Sequence, residues 1–295
     1  MPFPLQISFG TQVVQFEDYP EGISGEFWIW KLDTFRTMKK EEADIIIASN
    51  IQENMERIDD ASVLSSEITG FFERVVWKGK NEGINWSFRR KSTGKEKVRY
   101  CVNKDWNRIE LVKNEKQDGF AAFEYLAQIT PGIALKEKML TIHSALMEYN
   151  GEAIAISAAS GVGKTTHARL WREHRNALIL NGDRMVCKRT QSGWTAYGTP
   201  WSGTSGEQIN RSAPLKAFVV LQRGEENSVR RLTPMEAFPH ILGQLLCPMW
   251  DRQLAETAMD ELNQFLSDIP VYLLTCRPDQ EAVDCLYHAV WEDEK

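Results

Sequence analysis

The sequence predicts an α+β / α/β fold: a β-rich N-terminal region followed by an α/β region with a mixed sheet. Three observations predict it. Short alternating or aromatic-rich runs separated by polar turns fill the first 130 residues. Residues 152–174 read as an apolar strand, a glycine-rich turn and a helix. The remaining strands and helices follow no regular βαβ repeat, so parallel and antiparallel neighbours are both expected.

The elements follow in order. PLQISFG, TQVVQF, EFWIWKL, ADIIIAS, ERVVWKG, INWSFRR and RYCVN are rich in β-branched and aromatic residues. Such runs read as strands of a mostly antiparallel region. Residues 119–136 then carry Phe120, Phe123, Leu126 and Ala127 at helical spacing, until Pro131 and Gly132 interrupt it. The domain boundary is placed here, giving regions 1–118 and 119–295. LTIHSALMEYNG and EAIAISA read as strands joined at Asn150-Gly151, a strong hairpin signal. A helix over 164–174, a strand ALILN and a β-rich stretch 185–222 follow. Helices near 234–246 and 251–267, a strand PVYLLTC and a helix near 279–291 complete the chain.

Composition narrows the function. Hydrophobic residues make up 42% and charged residues 26% of the chain, so it can bury a sizeable core and is neither a disordered tail nor a coiled coil. A net charge of -6 argues against general nucleic-acid binding, which needs a basic face. No apolar run approaches the roughly 18 residues of a membrane span. MPFPLQISFG has neither a charged n-region nor an h-region, so a cytoplasmic location without membrane contact is expected. Five cysteines at long spacings, without a CxxC, read as reduced thiols. One local exception is RRKSTGKEKVR, residues 89–99, with six basic residues and one acid. It is a solvated hairpin or a patch for an acidic peptide or phosphates.

The strongest signal is SAASGVGKTT, residues 157–166. It fits a relaxed Walker A pattern, with Ala158 where the strict form has glycine. Gly161 and Gly163 let backbone N–H groups turn inward, and with the helix N-terminus they form an anion nest. Ser160, Gly161, Val162, Gly163, Lys164, Thr165 and Thr166 are the candidate nucleotide-binding residues. Lys164 is expected to reach the β- and γ-phosphates, and the Thr165 hydroxyl suits Mg2+. Asp183 follows the strand ALILN, about twenty residues on. In a strand-adjacent layout its carboxylate comes toward the phosphates, to hold Mg2+ or accept a substrate proton. An Asn-Gly-Asp turn without chemistry is the plainer reading.

The order IHSALMEYNG, ASGVGKTT, NGDR resembles the catalytic domain of HPr kinase/phosphorylase. GTPWSGTSGEQINRSAPLKAFVVLQRG and IPVYLLTCRPDQEAVD look like the HPr-kinase-like proteins encoded beside peptide-modification genes. The resemblance covers about 135–295. It implies an HPr-kinase-like (phosphoenolpyruvate-carboxykinase-like) P-loop domain and kinase activity, in some members on precursor peptides of ribosomally made natural products. By resemblance His143 falls on the active-site histidine and Asp183 on the second acid of a pair. Gly182 stands where the first acid would be. One carboxylate then does both jobs, or another acid such as Glu207 contributes. Arg211 is a candidate for the γ-phosphate. Thr199, Trp201, Ser202 and Gly203 are candidates for shaping an acceptor pocket.

The expected function is an ATP- and Mg2+-dependent kinase of a Ser or Thr hydroxyl in a peptide or small protein. Catalytic candidates are Asp183, His143, Lys164 and Arg211; metal candidates are Thr165 and Asp183. Region 1–118, with tryptophans 28, 30, 77, 86 and 106, is expected to recognise the acceptor. A small-molecule kinase and a non-catalytic nucleotide-binding module that recruits a peptide are the alternatives. An oligomer is compatible with the sequence.

Overall fold

The computed structural model describes residues 5–17, 31–37, 41–49, 62–70, 72–79, 82–114 and 119–292. Two compact units divide the chain, Met1–Ile133 and Ala134–Lys295.

The first unit is built on one sheet. Its strands are β1 (Leu5–Phe9), β2 (Gln12–Glu17), β3 (Ile45–Ser49), β4 (Val63–Thr69), β5 (Phe72–Lys78), β6 (Ile84–Arg90), β7 (Glu96–Val102) and β8 (Arg108–Asn114). They lie in the order β1-β2-β3-β8-β7-β6-β5-β4. β3 pairs in parallel with β2 and β8, while the other neighbours are antiparallel. β2 shows how the sequence selects this: Gln12, Val14 and Phe16 are buried, and the residues between them are half-exposed. That is the period-2 pattern of a strand with one covered face. β4 and β8 were not anticipated. In RIELVKN the half-exposed Arg108 and Glu110 alternate with buried Ile109 and Leu111, and VLSSEIT mixes two serines and a glutamate with the exposed Leu64 and Ile68, so hydrophobicity alone does not mark them. The expected strand EFWIWKL lies mostly outside the described residues, as do Trp28 and Trp30.

Helix α1 (Gly119–Leu126) belongs with this sheet. The Tyr100 hydroxyl donates to the Ala122 carbonyl at 2.7 Å, and Phe123 and Leu126 are buried. The division between units therefore falls later than the boundary at 118/119 read from the sequence. Helix α2 (Thr130–Lys136) starts with Pro131 in its first turn, where a missing N–H costs nothing. Gly132 allows the close approach of Trp106, whose ring would lie 2.2 Å from an added Cβ. Trp77, Trp86 and Trp106 are core residues, each at most 3% exposed, and do not line a groove. The basic run 89–99 forms the tip and inner face of the β6–β7 hairpin. Arg90, Lys91 and Lys95 are exposed there. Arg99 instead points inward, donating to Glu96 through Nε at 3.0 Å and NH2 at 2.8 Å. Breaking such a buried pair costs about 3–5 kcal/mol, so Arg99 serves the fold.

The second unit contains β9 (Met139–His143), β10 (Ala145–Tyr149), β11 (Glu152–Ser157), α3 (Lys164–Arg175), β12 (Leu178–Asn181), β13 (Arg184–Thr190), β14 (Gly193–Tyr197), β15 (Ser212–Arg223), β16 (Ser228–Leu232), α4 (Pro234–Leu242), α5 (Arg252–Asp268), β17 (Val271–Cys276) and α6 (Gln280–Tyr287). The sheet runs β12-β10-β11-β15-β14-β13-β9, with β17 also beside β15 and β16 beside β17. Asn150 (φ 53°) and Gly151 (φ 83°) make the β10–β11 turn, as the Asn-Gly pair predicts. At its centre β11, β15 and β17 are parallel. Residues 217–221 of β15 are mostly buried without alternation, as expected for a strand covered on both faces. The fold is thus mixed α+β with mixed sheets.

LTIHSALMEYNG does not form one strand. It breaks at the buried Ser144, so that β9 pairs with β13 and β10 pairs with β11 and β12. This break carries His143 to the residues that follow β12.

Candidate functional site

The parallel register aligns Ser157, the last residue of β11, with Val220 of β15. The loop 158–163 therefore leaves the carboxyl end of a parallel strand, where open α/β sheets leave a crevice. Gly161 has φ 77° and Gly163 φ 131°, conformations that exclude most side chains. The loop enters α3 at Lys164. Lys164 Nζ folds back onto the Ala158 carbonyl at 3.2 Å, the sort of contact an anion in the loop would replace. Burial holds its pKa below the ordinary lysine value, and the Asp183 charge opposes that fall. Ser160 and Thr166 are exposed; Val162 and Thr165 are half-buried.

Asp183 sits in the turn between β12 and β13. The fully buried Asn181 shapes this turn: its Oδ1 accepts from the N–H groups of Asp183 at 2.8 Å and Arg184 at 2.7 Å. Its Nδ2 donates to the Thr199 carbonyl at 2.7 Å and the Trp201 carbonyl at 3.2 Å. Thr199, Trp201 and Ser202 are buried and brace the turn. Gly203 lies so close that an added Cβ would come 2.8 Å from the Asp183 Cγ.

His143 reaches the same carboxylate. β9 and β13 set it opposite Arg184, and its Nε2 lies 3.1 Å from Asp183 Oδ1. Arg184 Nε donates to Oδ2 at 3.3 Å. Burial pushes the Asp183 carboxyl up, but the hydrogen bond from His143 and the Arg184 charge outweigh it, leaving the pKa below the ordinary value. The Ser157 hydroxyl donates to the His143 carbonyl at 2.8 Å, tying the start of the loop to the histidine. His143 and Asp183 thus meet at one end of the sheet, and the Asp183 charge reaches Lys164.

The remaining candidates lie apart. Arg211 pairs with Glu148, donating from NH2 at 2.9 Å. Glu148 is opposite Ala153 in the β10–β11 ladder, far along β11 from Ser157. Arg211 is therefore not brought to the loop in this conformation. Glu207 accepts from Arg169 at 3.1 Å and Arg172 at 3.3 Å, on the flank of α3. The position of the absent acid is occupied: a Cβ on Gly182 would lie 2.1 Å from Ser205 Oγ and 2.5 Å from Ser205 Cβ. Asn181 and Ser205 were not singled out by sequence. An Asn two residues before an Asp after a strand is a local turn signal and could have marked Asn181.

Two cavities adjoin the loop. One, of about 520 Å3, is lined by residues 157–162, the end of β15, His240 and Gln244. The other, of about 410 Å3, is lined by Gly163, Thr166, His167, Leu221, Cys276 and Pro278, among others. Arg223 borders both and donates from Nε to the Val162 carbonyl at 3.1 Å. Among the described residues no helix is long and apolar enough to cross a membrane, and no group of three or more His, Cys, Asp or Glu could hold a metal ion.

A family model described as SynChlorMet cassette protein ScmC matches residues 111–277, just over half the chain. Among solved structures, the HPr(Ser) kinase/phosphatase from Coxiella burnetii is similar at 10% identity, covering 52% of this chain and 99% of that one, with a TM-score of 0.32. No curated protein matches.

Proposed function

The chain belongs to the family described as SynChlorMet cassette protein ScmC, and from that premise we propose that it is an ATP-dependent phosphotransferase acting on a Ser or Thr hydroxyl of a peptide or small protein. One observation carries the reading: a glycine loop ending in Lys164 leaves the carboxyl end of β11, within electrostatic reach of an Asp183 that His143 also holds. Loop amides, the α3 N-terminus and Lys164 suit a polyphosphate. Asp183, held ionised, suits the acceptor hydroxyl as a hydrogen-bond partner. As the hydroxyl oxygen bonds to the γ-phosphorus and the bridging P–O bond breaks, the hydroxyl proton passes to Asp183. His143 and Arg184 fix the carboxylate that receives it. Thr165 and Asp183 are hard oxygen donors of the kind Mg2+ takes together with phosphates. Mg2+ held there would neutralise phosphate charge.

The family description names a cassette protein, which suits a natural-product setting in which the acceptor is a peptide. The N-terminal unit, outside most of the matched segment, is available to recognise it. One feature favours a second reading, a nucleotide-binding module without catalysis: Ser205 fills the place of a second acid.

Calorimetric titration of ATP with Mg2+ into the unaltered protein and Lys164→Ala tests nucleotide binding. The variant should keep its fold and lose at least about tenfold in affinity. Equal affinities would remove the phosphate role of the loop. Incubation with labelled ATP and Ser- or Thr-containing peptides then separates kinase from module.

A further inference from the structure

His167 is the anomaly near the loop. It stands one turn into α3 and is 2% exposed. Neither ring nitrogen has a hydrogen-bond partner. A buried polar group left without a partner costs about 1–3 kcal/mol, so apolar residues normally fill such positions. His167 is among the residues that line the 410 Å3 cavity, together with Thr166, Leu221, Cys276, Arg277 and Pro278.

The two cavities differ in what they face. The 520 Å3 cavity includes Ser157 and Gln244. Ser157 donates to the His143 carbonyl, and the Gln244 carbonyl accepts from the His143 N–H at 2.9 Å. That cavity therefore adjoins the end of the site where His143 and Asp183 meet. The 410 Å3 cavity borders the other side, past Gly163 and the first turn of α3. A triphosphate lying along the loop has its reactive end toward His143 and its nucleoside toward His167. The volume falls within the range of about 300–1,000 Å3 typical of small-molecule sites. Leu221, Val162 and Pro278 supply apolar surface for the faces of a flat ring.

We propose that this second cavity receives the purine base of a nucleoside triphosphate whose phosphates lie on the loop, and that His167 hydrogen-bonds the edge of the base. The inference rests on the nucleotide reading above. A neutral imidazole has one N–H donor and one acceptor nitrogen, and a purine edge offers partners for either. A turn of the His167 side chain would bring a ring nitrogen to the cavity that the residue lines. His167 is thus a specificity residue for the base and takes no part in phosphoryl transfer.

The test uses the full chain with Mg2+ and three probes: ATP, GTP and inorganic tripolyphosphate. His167→Leu should weaken binding of the preferred purine nucleotide at least about tenfold and leave tripolyphosphate affinity unchanged. Lys164→Ala should weaken both. If His167→Leu binds the nucleotide as tightly as the unaltered protein, or weakens both probes equally, the base assignment is overturned. If the unaltered protein binds neither ATP nor GTP, the nucleotide reading fails first. Photolabelling of the unaltered protein with 8-azido-ATP gives an answer independent of the variant's folding. Crosslinks within 163–167 or 276–278 support the proposal, and crosslinks confined to 240–244 overturn it.

Discussion

Gly182 gives a quantitative test of how the Asp183 turn is built. An alanine there would place Cβ 2.1 Å from Ser205 Oγ and 2.5 Å from Ser205 Cβ. Comfortable carbon contacts are about 3.5–4.0 Å, so one side must move by more than 1 Å. Ser205 Cβ is fixed to the backbone and has no rotamer that clears the overlap. Its hydroxyl also donates to the Ser202 carbonyl at 2.6 Å and accepts from the Glu207 N–H at 3.2 Å. Overpacking costs about 1–3 kcal/mol, and each displaced hydrogen bond adds about 0.5–1.5 kcal/mol. Gly182→Ala should therefore lose about 2–6 kcal/mol. Ser205→Gly alone should lose about 1–3 kcal/mol through its two hydrogen bonds. In the double variant the clash is gone, so its loss should be at least about 1.5 kcal/mol smaller than the sum. Urea unfolding of the four proteins measures this cycle. Additive losses would refute the claim that Ser205 occupies the space beside Gly182. The same clash predicts that Gly182→Asp cannot restore a second acid without Ser205→Gly.

Two further outcomes follow from the site. Asp183→Asn should lower phosphotransfer at least about 100-fold while reducing nucleotide affinity less than Lys164→Ala does, and normal turnover by the variant would move the proton acceptor elsewhere. Burial holds His167 down to about 4 from an ordinary value of 6.5, despite the opposing charge of Asp279. Between those pH values the unfolded chain binds a proton that the folded chain does not, so stability falls as pH falls through that window, by about 3 kcal/mol in full. Urea midpoints at pH 7 and 4.5 should show a smaller acid loss in His167→Leu than in the unaltered protein; equal losses would mean that His167 is not buried neutral.

Local pattern carried much of the fold. The alternation in QVVQFE, the Asn-Gly hairpin and the strand–glycine–helix order at 152–175 each state their geometry within a few neighbouring residues. That is why the loop, Lys164 and the general α+β character were legible. β4, β8 and the β16 segment SVRRL were not. Their polar residues become strand because a neighbouring strand offers hydrogen bonds: β5 across a short turn for β4, β7 and the distant β3 for β8, and the distant β17 for β16.

The sequence alone determined the chemistry available at the loop: glycines that permit its positive φ angles, a lysine at the helix start and hydroxyls beside it. Tertiary structure decided which distant residues join it. The break at Ser144 aims His143 at Asp183, Glu148 draws Arg211 away, and two arginines of α3 occupy Glu207. Ser205 fills the space beside Gly182. These outcomes depend on strand register and on contacts across 23 to 63 positions of chain. Composition and periodicity describe only near neighbours, and the pairing of distant strands is settled by packing the whole sheet.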